Sequence, residues 1–355
     1  MRLYQTQTYI RELDRAIRSM DLDLSELENR SVAIAGSTGM IGSALADLLL
    51  RIRDTQKVNI KLYLLSRKMD SLKTRFSYCE GDEKVVFCQQ DVCDPIDPEI
   101  KADYIIHAAS DANPIAYATR PAEVMQANFI GMLNLLECGK KNQSKRILYV
   151  SSGEIYGKLD DSHDGFTEDY CGYVDYADAR SCYPSSKRAA EVLCQSYIKE
   201  YGSDVVIVRP CHVYGPTMID SDTRAATAFI RDASEGKDIV LKSDGSGRRT
   251  MCYAFDCATA MLYVLLKGEN GNAYNISDEK CNVSIREIAE TAAEYGNQKV
   301  VFDIPNQTEA QGFNRVKNAV LYSEKLRSLG WMPETGLKEG IRVTMDIIKE
   351  RKEST

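Results

Sequence analysis

Histidine is scarce in this chain and paired cysteine is missing. Its 355 residues include three histidines, His107, His163 and His212, and eleven cysteines, none of them in a Cys-x-x-Cys pair. Singles such as Cys79, Cys88, Cys138 and Cys194 lack metal-ligand spacing, so neither a structural zinc site nor a disulfide framework is expected. Free thiols in a reducing cytoplasm are the plain reading. No apolar run approaches the ~20 residues that a membrane-spanning helix needs. The opening "MRLYQTQTYIRELDRAIRSM" has no apolar stretch ending in a small-residue cleavage site, so it does not read as a secretory signal. Excess positive charge is absent as well: the net charge is -7, and nucleic acid is not an expected partner.

What the chain does have is alternation. Residues 1–30 carry Ile10, Leu13, Ile17 and Met20 at helical spacing among charges, which predicts a short amphipathic helix ahead of the main fold. "SVAIAG" is an apolar run of strand length, and "STGMIGSALADLLLRI" returns to helical spacing. "NIKLYLLSR", "KVVFCQQDV", "ADYIIHAAS", "RILYVSSGEIYG" and "VVIVRPCHVYG" read as further strands, with "PAEVMQANFIGMLNLLECGKK" and the segment from Tyr183 as helices between them. Buried strands alternating with amphipathic helices predict a doubly wound α/β fold, a parallel sheet covered on both faces, over residues 31–215. From residue 216 to 355 the pattern loosens, and a smaller, partly interleaved α/β lobe is expected there.

"AGSTGMIGSAL" sets Gly36, Gly39 and Gly42 between a strand and a helix. Such glycines let the backbone turn tightly and approach a pyrophosphate, whose charge suits the unpaired N–H groups of the helix start. A dinucleotide is therefore the expected cofactor. The second strand ends "LLSRK" with no carboxylate to grip an adenosine ribose; Arg67 and Lys68 either meet the 2′-phosphate of NADP or are simply solvated, so both NAD and NADP stay open. Asp91, after the third strand, is placed to accept a hydrogen bond from an adenine amino group.

In "YPSSK", Tyr183 and Lys187 stand four apart, on one face of a helix. A tyrosine of ordinary pKa is a poor base at neutral pH, and a lysine ammonium beside it favours the phenolate and lowers that pKa. Ser152, at the end of the "RILYVSS" strand, is placed to hydrogen-bond a substrate oxygen.

Taken together, "AGSTGMIG", "DV" at 91, "HAAS" at 107, "NFIGMLNLLE" at 128, "VSSGEIYG", "YPSSK" and "RPCHVYGP" resemble, in order and spacing, the extended short-chain dehydrogenase/reductases that act as nucleotide-sugar epimerases, dehydratases and decarboxylases. The resemblance covers residues 31 to about 340 and implies a Rossmann-like fold. It implies that Tyr183 takes a proton from a sugar hydroxyl, that Ser152 orients that oxygen, and that Lys187 holds the nicotinamide ribose. It places the dinucleotide against Gly36, Thr38, Gly39, Met40, Ile41, Gly42, Arg67, Asp91, Val92, Ala108, Ala109 and Pro210, with Tyr183 and Lys187. It places a nucleotide-diphospho-sugar against Ser110, Ser152, Gly153, Arg180, His212 and Arg249. A homodimer, paired through the stretches 121–140 and 185–201, is implied too.

The branch of the reaction is read after Ser152. Gly153 stands where 4,6-dehydratases have an acidic Asp, which counts against dehydration, while Glu154 is retained. "SGE" matches the Thr-Ser-Glu of UDP-glucuronate decarboxylases at two of three positions, and "DARSCYPSSKRAAE" with Arg180, and "SDGSGRRTMCYAFD" with Arg249, resemble the same subfamily. Decarboxylation of a UDP-sugar acid is the leading expectation, with Glu154 as proton source. A 4-epimerase or a dehydratase is the alternative, and a non-catalytic dinucleotide-binding module a third. His212 departs from the family, which usually has asparagine there.

Overall fold

The computed structural model describes residues 3–219, 222–304 and 318–353. In chain order the elements are α1 (Gln7–Ser19), β1 (Arg30–Ala35), α2 (Met40–Gln56), β2 (Ile60–Ser66), α3 (Met69–Arg75), β3 (Val85–Gln89), β4 (Tyr104–His107), α4 (Pro114–Thr119), α5 (Pro121–Asn142), β5 (Arg146–Val150), α6 (Cys182–Tyr201) and β6 (Val205–Pro210). They continue with β7 (His212–Tyr214), α7 (Ala225–Ser234), β8 (Ile239–Leu241), β9 (Arg248–Tyr253), α8 (Ala254–Lys267), β10 (Ala273–Ile276), β11 (Asp278–Ser284), α9 (Ile285–Gly296), β12 (Val300–Phe302), β13 (Asn318–Ala319), α10 (Glu324–Arg327) and α11 (Leu337–Glu353).

Among the described residues seven strands form one sheet in the order β10-β6-β5-β4-β1-β2-β3. Every pairing within it is parallel. Strands buried on both faces have no polar side to show, which is why "VAIA" in β1 and "LYLL" in β2 read as unbroken apolar runs. The chain winds outward in both directions from β1, so β1 and β4 part at their carboxyl ends and open the crevice where doubly wound folds bind ligands. A smaller sheet joins β11, β9 and β13, with β7 also on β9, and β8 pairs with β12. The two parts share chain: β7 leaves β6 to join the small sheet, and β10, from the segment that reads as smaller lobe, returns to the edge of the large one.

The N-terminal helix packs on α2, α8 and α11. Its buried stripe, Tyr9, Glu12, Leu13, Ala16 and Ile17, includes the Leu13 and Ile17 that the spacing marks, and Ile10 and Met20 pack half-buried at its border. Beneath it, Asp47 of α2 is fully buried and accepts hydrogen bonds from the Tyr9 and Tyr78 hydroxyls and from Arg75. With α1 on its outer face and the sheet on its inner one, α2 is buried nearly all round, Leu45, Leu48, Leu49 and Ile52 included. Glu350 of α11 accepts from the N–H groups of Gln7, at 2.6 Å, and Thr8, at 3.2 Å, capping the start of α1.

Candidate active site

The loop after β1 distributes its three glycines over three tasks. Gly36 has φ +80°, and a Cβ there would meet Ala109 Cα at 2.6 Å, so both the turn and the approach of β4 require glycine. A Cβ on Gly42 would lie 2.3 Å from the Gly36 carbonyl oxygen; this glycine lets α2 close on the loop. Gly39 meets nothing nearer than that same oxygen at 3.4 Å, so it borders open space. The first N–H groups of α2, starting at Met40, have no carbonyl within the helix to bond, and they face the same side. A backbone cradle at a helix start, open at Gly39, fits a dinucleotide pyrophosphate.

Around the cradle the expected cofactor contacts fall on neighbouring loops. Thr38 and Ser66 hydroxyls are 3.3 Å apart, joining the loop to the end of β2, and Arg67 follows, exposed. Asp91 lies beyond β3 with its carboxylate accepting the Cys93 N–H at 2.9 Å, and Val92 is buried beside it. Ala108, whose N–H bonds the Ala35 carbonyl at 2.9 Å, leads with Ala109 into Ser110, whose buried hydroxyl finds no partner among the described residues. Pro210 closes β6.

Tyr183 and Lys187 sit in the first turns of α6, both buried. The Lys187 ammonium donates to the Val150 carbonyl at 2.7 Å, 5.7 Å from the centre of the Tyr183 ring and 4.9 Å from that of Tyr149. Tyr117 of α4 stacks on Tyr183, ring centres 4.8 Å apart, and the Tyr117 and Ser152 hydroxyls favour the charged form of the Tyr183 phenol. Burial, then the Glu154 carboxylate, push the Tyr183 phenol up to about 12, against the opposing pull of Ser152, Arg224 and Tyr117. This corrects the expectation that Lys187 lowers it. Burial penalises the charged form of both partners, and Lys187 is itself brought down to about 7.

Ser152 accepts the Glu154 N–H at 3.2 Å and so caps the short 3-10 turn 153–156. Glu154 looks into the cleft, its side chain 42% exposed, yet the protein around it raises its pKa while Arg180, Arg249 and Arg224 pull it down. Arg180 Nη1 is 3.8 Å from Glu154 and stacks over Tyr117 at 4.6 Å. Arg249, nearly buried on β9, has its own pKa lowered by burial, which Glu154 opposes. His212, at the start of β7, is exposed to the cleft; the protein packed around it and the cations Arg249 and Arg224 hold it well below the usual histidine range, so it is a neutral imidazole at physiological pH. Gly153 also has a structural account. A Cβ there would meet Leu321 Cδ2 at 2.9 Å, so Leu321 covers the position from which a dehydratase acid would project.

Two residues escaped the motifs. Arg224, just ahead of α7, is pinned by Asp222 at 2.6 Å, reaches Met40 Sδ at 3.5 Å, and bears electrostatically on Tyr183, Tyr117, Glu154 and His212. Tyr117 lies within the short proline-started helix α4, directly ahead of α5, which also starts at a proline. Neither has a spacing that marks it; an arginine directly before a helix in "SDTRAATAFI" is the faint signal available.

Comparison with known proteins agrees with this geometry. Residues 32–277 match the family described as NAD dependent epimerase/dehydratase. UDP-glucuronic acid decarboxylase 5 of Arabidopsis thaliana is 31% identical over 313 residues, 88% of this chain and 87% of that protein. UDP-glucuronic acid decarboxylase 1 of Xenopus tropicalis is 28% identical over 332 residues, 93% of this chain and 75% of that one. Among solved structures, the UDP-glucose 4-epimerase of Thermotoga maritima, crystallised with UDP-glucose, superposes with a TM-score of 0.76 at 22% identity, covering 91% of this chain and 99% of that one, which speaks to the fold. With the cradle, the tyrosine–lysine helix and the matched span in agreement, the chain belongs to the NAD-dependent epimerase/dehydratase family, the extended short-chain dehydrogenase/reductase enzymes.

Proposed function

We propose that this enzyme decarboxylates a UDP-sugar acid such as UDP-glucuronate through a 4-keto intermediate. The observation that carries the reading is the placing of Glu154 opposite Tyr183 in a cleft that also holds Arg180, Arg224 and Arg249. Three guanidiniums suit a substrate that carries both a diphosphate and a carboxylate. The relatives named UDP-glucuronic acid decarboxylase support it.

A bound nicotinamide dinucleotide supplies reversible oxidation of the sugar C4. The protein's own groups do the rest. Ser152 and Tyr183 hold the C4 hydroxyl, and Tyr183, reacting as the phenolate after its own proton has passed to solvent, receives the hydroxyl proton as the ketone forms. The substrate carboxylate is then β to a ketone. Its bond to C5 breaks, carbon dioxide leaves, and the electron pair passes into an enolate whose oxygen the Ser152 and Tyr183 hydroxyls steady. Glu154, held protonated more readily than a solvated carboxyl by its surroundings, delivers a proton to C5. Gly153, closed over by Leu321, offers no acid to a C6 hydroxyl, which disfavours 4,6-dehydration. A 4-epimerase is the second reading, since Ser152, Tyr183 and Lys187 suffice for it.

In this scheme residues 31–215 bind the dinucleotide, 216–355 mainly the nucleotide sugar, and 1–30 form a helical cover. Among the described residues no helix is long and apolar enough to cross a membrane, and the eleven cysteines, none joined to another, go with a cytoplasmic setting.

The test is carbon dioxide release from UDP-glucuronate. Tyr183→Phe should lower turnover at least about a hundredfold. Glu154→Gln should still oxidise the sugar but stall, leaving reduced cofactor visible at its absorbance band. A near-normal Glu154→Gln enzyme moves the reading to the epimerase, and an active Tyr183→Phe enzyme ends it. Either NAD or NADP suits the end of β2, where Arg67 is exposed and no carboxylate stands. Arg67→Asp should shift preference towards NAD about tenfold or more, read from the two dissociation constants; an unmoved ratio shows Arg67 to be a solvated bystander.

A further inference from the structure

We propose that Glu191, clamped by Arg209, is a positioning residue that supplies the buried counter-charge of Lys187 and locks the Glu154 turn to the Tyr183 helix. The inference rests on the reading of Lys187 as the cofactor-facing lysine. Glu191 follows Lys187 by one helical turn on α6, and both are buried. Arg209 on β6 grips Glu191 with two parallel bonds, Nη2 to Oε2 at 2.6 Å and Nε to Oε1 at 3.1 Å.

The fork has a second prong. Arg209 Nη1 donates to the Tyr156 hydroxyl at 2.9 Å and to the Glu168 carbonyl at 2.8 Å, and Tyr156 in turn donates to Asn275 Oδ1 at 2.6 Å. Tyr156 ends the 3-10 turn whose second residue is Glu154. Arg188, next to Lys187, ties the same turn from the other side, bonding the Ile155 carbonyl at 2.5 Å. One ion pair therefore connects the helix of the proton acceptor with the turn of the cleft carboxylate.

The groups that face Lys187 are Tyr183 and Glu191 on α6, Tyr149 and the Val150 carbonyl on β5, and His107 on β4. Across β6, the charge nearest this set is Arg209, already paired with Glu191. Tyr149 and Tyr183 are protonated phenols, raised by burial, and His107, lowered to about 3, is neutral. Among these, Glu191 is the carboxylate that opposes the cost of burying the ammonium.

The test follows the Lys187 ammonium directly. In the chain labelled with ¹⁵N-lysine, the Lys187 Nζ resonance, assigned by its loss in Lys187→Arg, is titrated in the wild type and in Glu191→Gln. The Lys187 midpoint should fall by about one pH unit in Glu191→Gln and by less in Glu191→Asp. Affinity for reduced dinucleotide, read by its fluorescence at neutral pH, should fall up to about tenfold in parallel. A Lys187 midpoint at the wild-type position overturns the proposal, however stable or active the variant. If Glu191→Gln does not fold, Glu191→Asp decides by the same comparison. A wild-type chain that binds no dinucleotide defeats the cofactor reading, while the titration still judges Glu191.

Discussion

A buried ammonium is an expensive thing to keep. Lys187 has fallen from the ordinary lysine range to about 7 because burial disfavours its charge. Between about pH 7 and the usual lysine value near 10.4, the unfolded chain therefore holds a proton that the folded chain has lost. Stability must rise with pH across that window, and at neutral pH the residue weighs against the fold. Lys187→Met should accordingly raise the melting temperature by a few degrees at pH ~7, flatten the pH dependence of melting in that window, and abolish turnover. Melting curves across the window check it; a destabilised Lys187→Met chain would mean that the bond to the Val150 carbonyl matters more than the charge. The motif around Tyr183 was legible because a helix turn puts residues four apart together. The charges that surround it were not. Arg224 reaches the cleft from a segment some forty residues downstream of Tyr183 (183 to 224), carried there by a fold that spacing does not encode.

Helix α1 shows the same limit one level up. Its amphipathic spacing announced a helix and the apolar part of its buried face, but not the carboxylate beneath it, Asp47, to which Tyr9 bonds. The partners of this carboxylate come from two separate segments, Tyr9 from α1 and Arg75 with Tyr78 from the end of α3 and the turn after it. Removing the charge leaves Arg75 buried beside polar groups alone, so Asp47→Ala should cost about 3–5 kcal/mol, seen as a lower denaturant midpoint. A loss below ~1 kcal/mol would show that α1 is held by its apolar stripe alone. Strands β1 to β6 of the large sheet, in contrast, were readable, since burial on both faces leaves apolar runs that nothing else explains. Strand β10 was not, because "AYNI" is a short edge strand inside a stretch of looser pattern.

At the scale of the whole molecule, α5 and α6 pack side by side and leave Met125, Phe129, Ile130 and Val192 exposed. Large apolar groups gathered on one surface suit a helical interface between subunits. Light scattering at micromolar concentration should give twice the chain mass, and Phe129→Glu with Val192→Glu should return it to the monomer. A wild-type chain of single mass removes the proposed dimer.

The cap that Glu350 places on Gln7 and Thr8 has a further consequence, for synthesis. Gln7 and Thr8 stand 343 and 342 positions from Glu350 along the chain. At the ~5–20 residues per second of translation, α1 waits roughly 20 to 70 s before its cap leaves the ribosome. Through most of that interval Tyr9, Leu13 and Ile17 have α2 to rest on, with α8 added only late and α11 last, so the nascent chain carries an unfinished apolar seam. That seam closes only when α11 arrives to cover it.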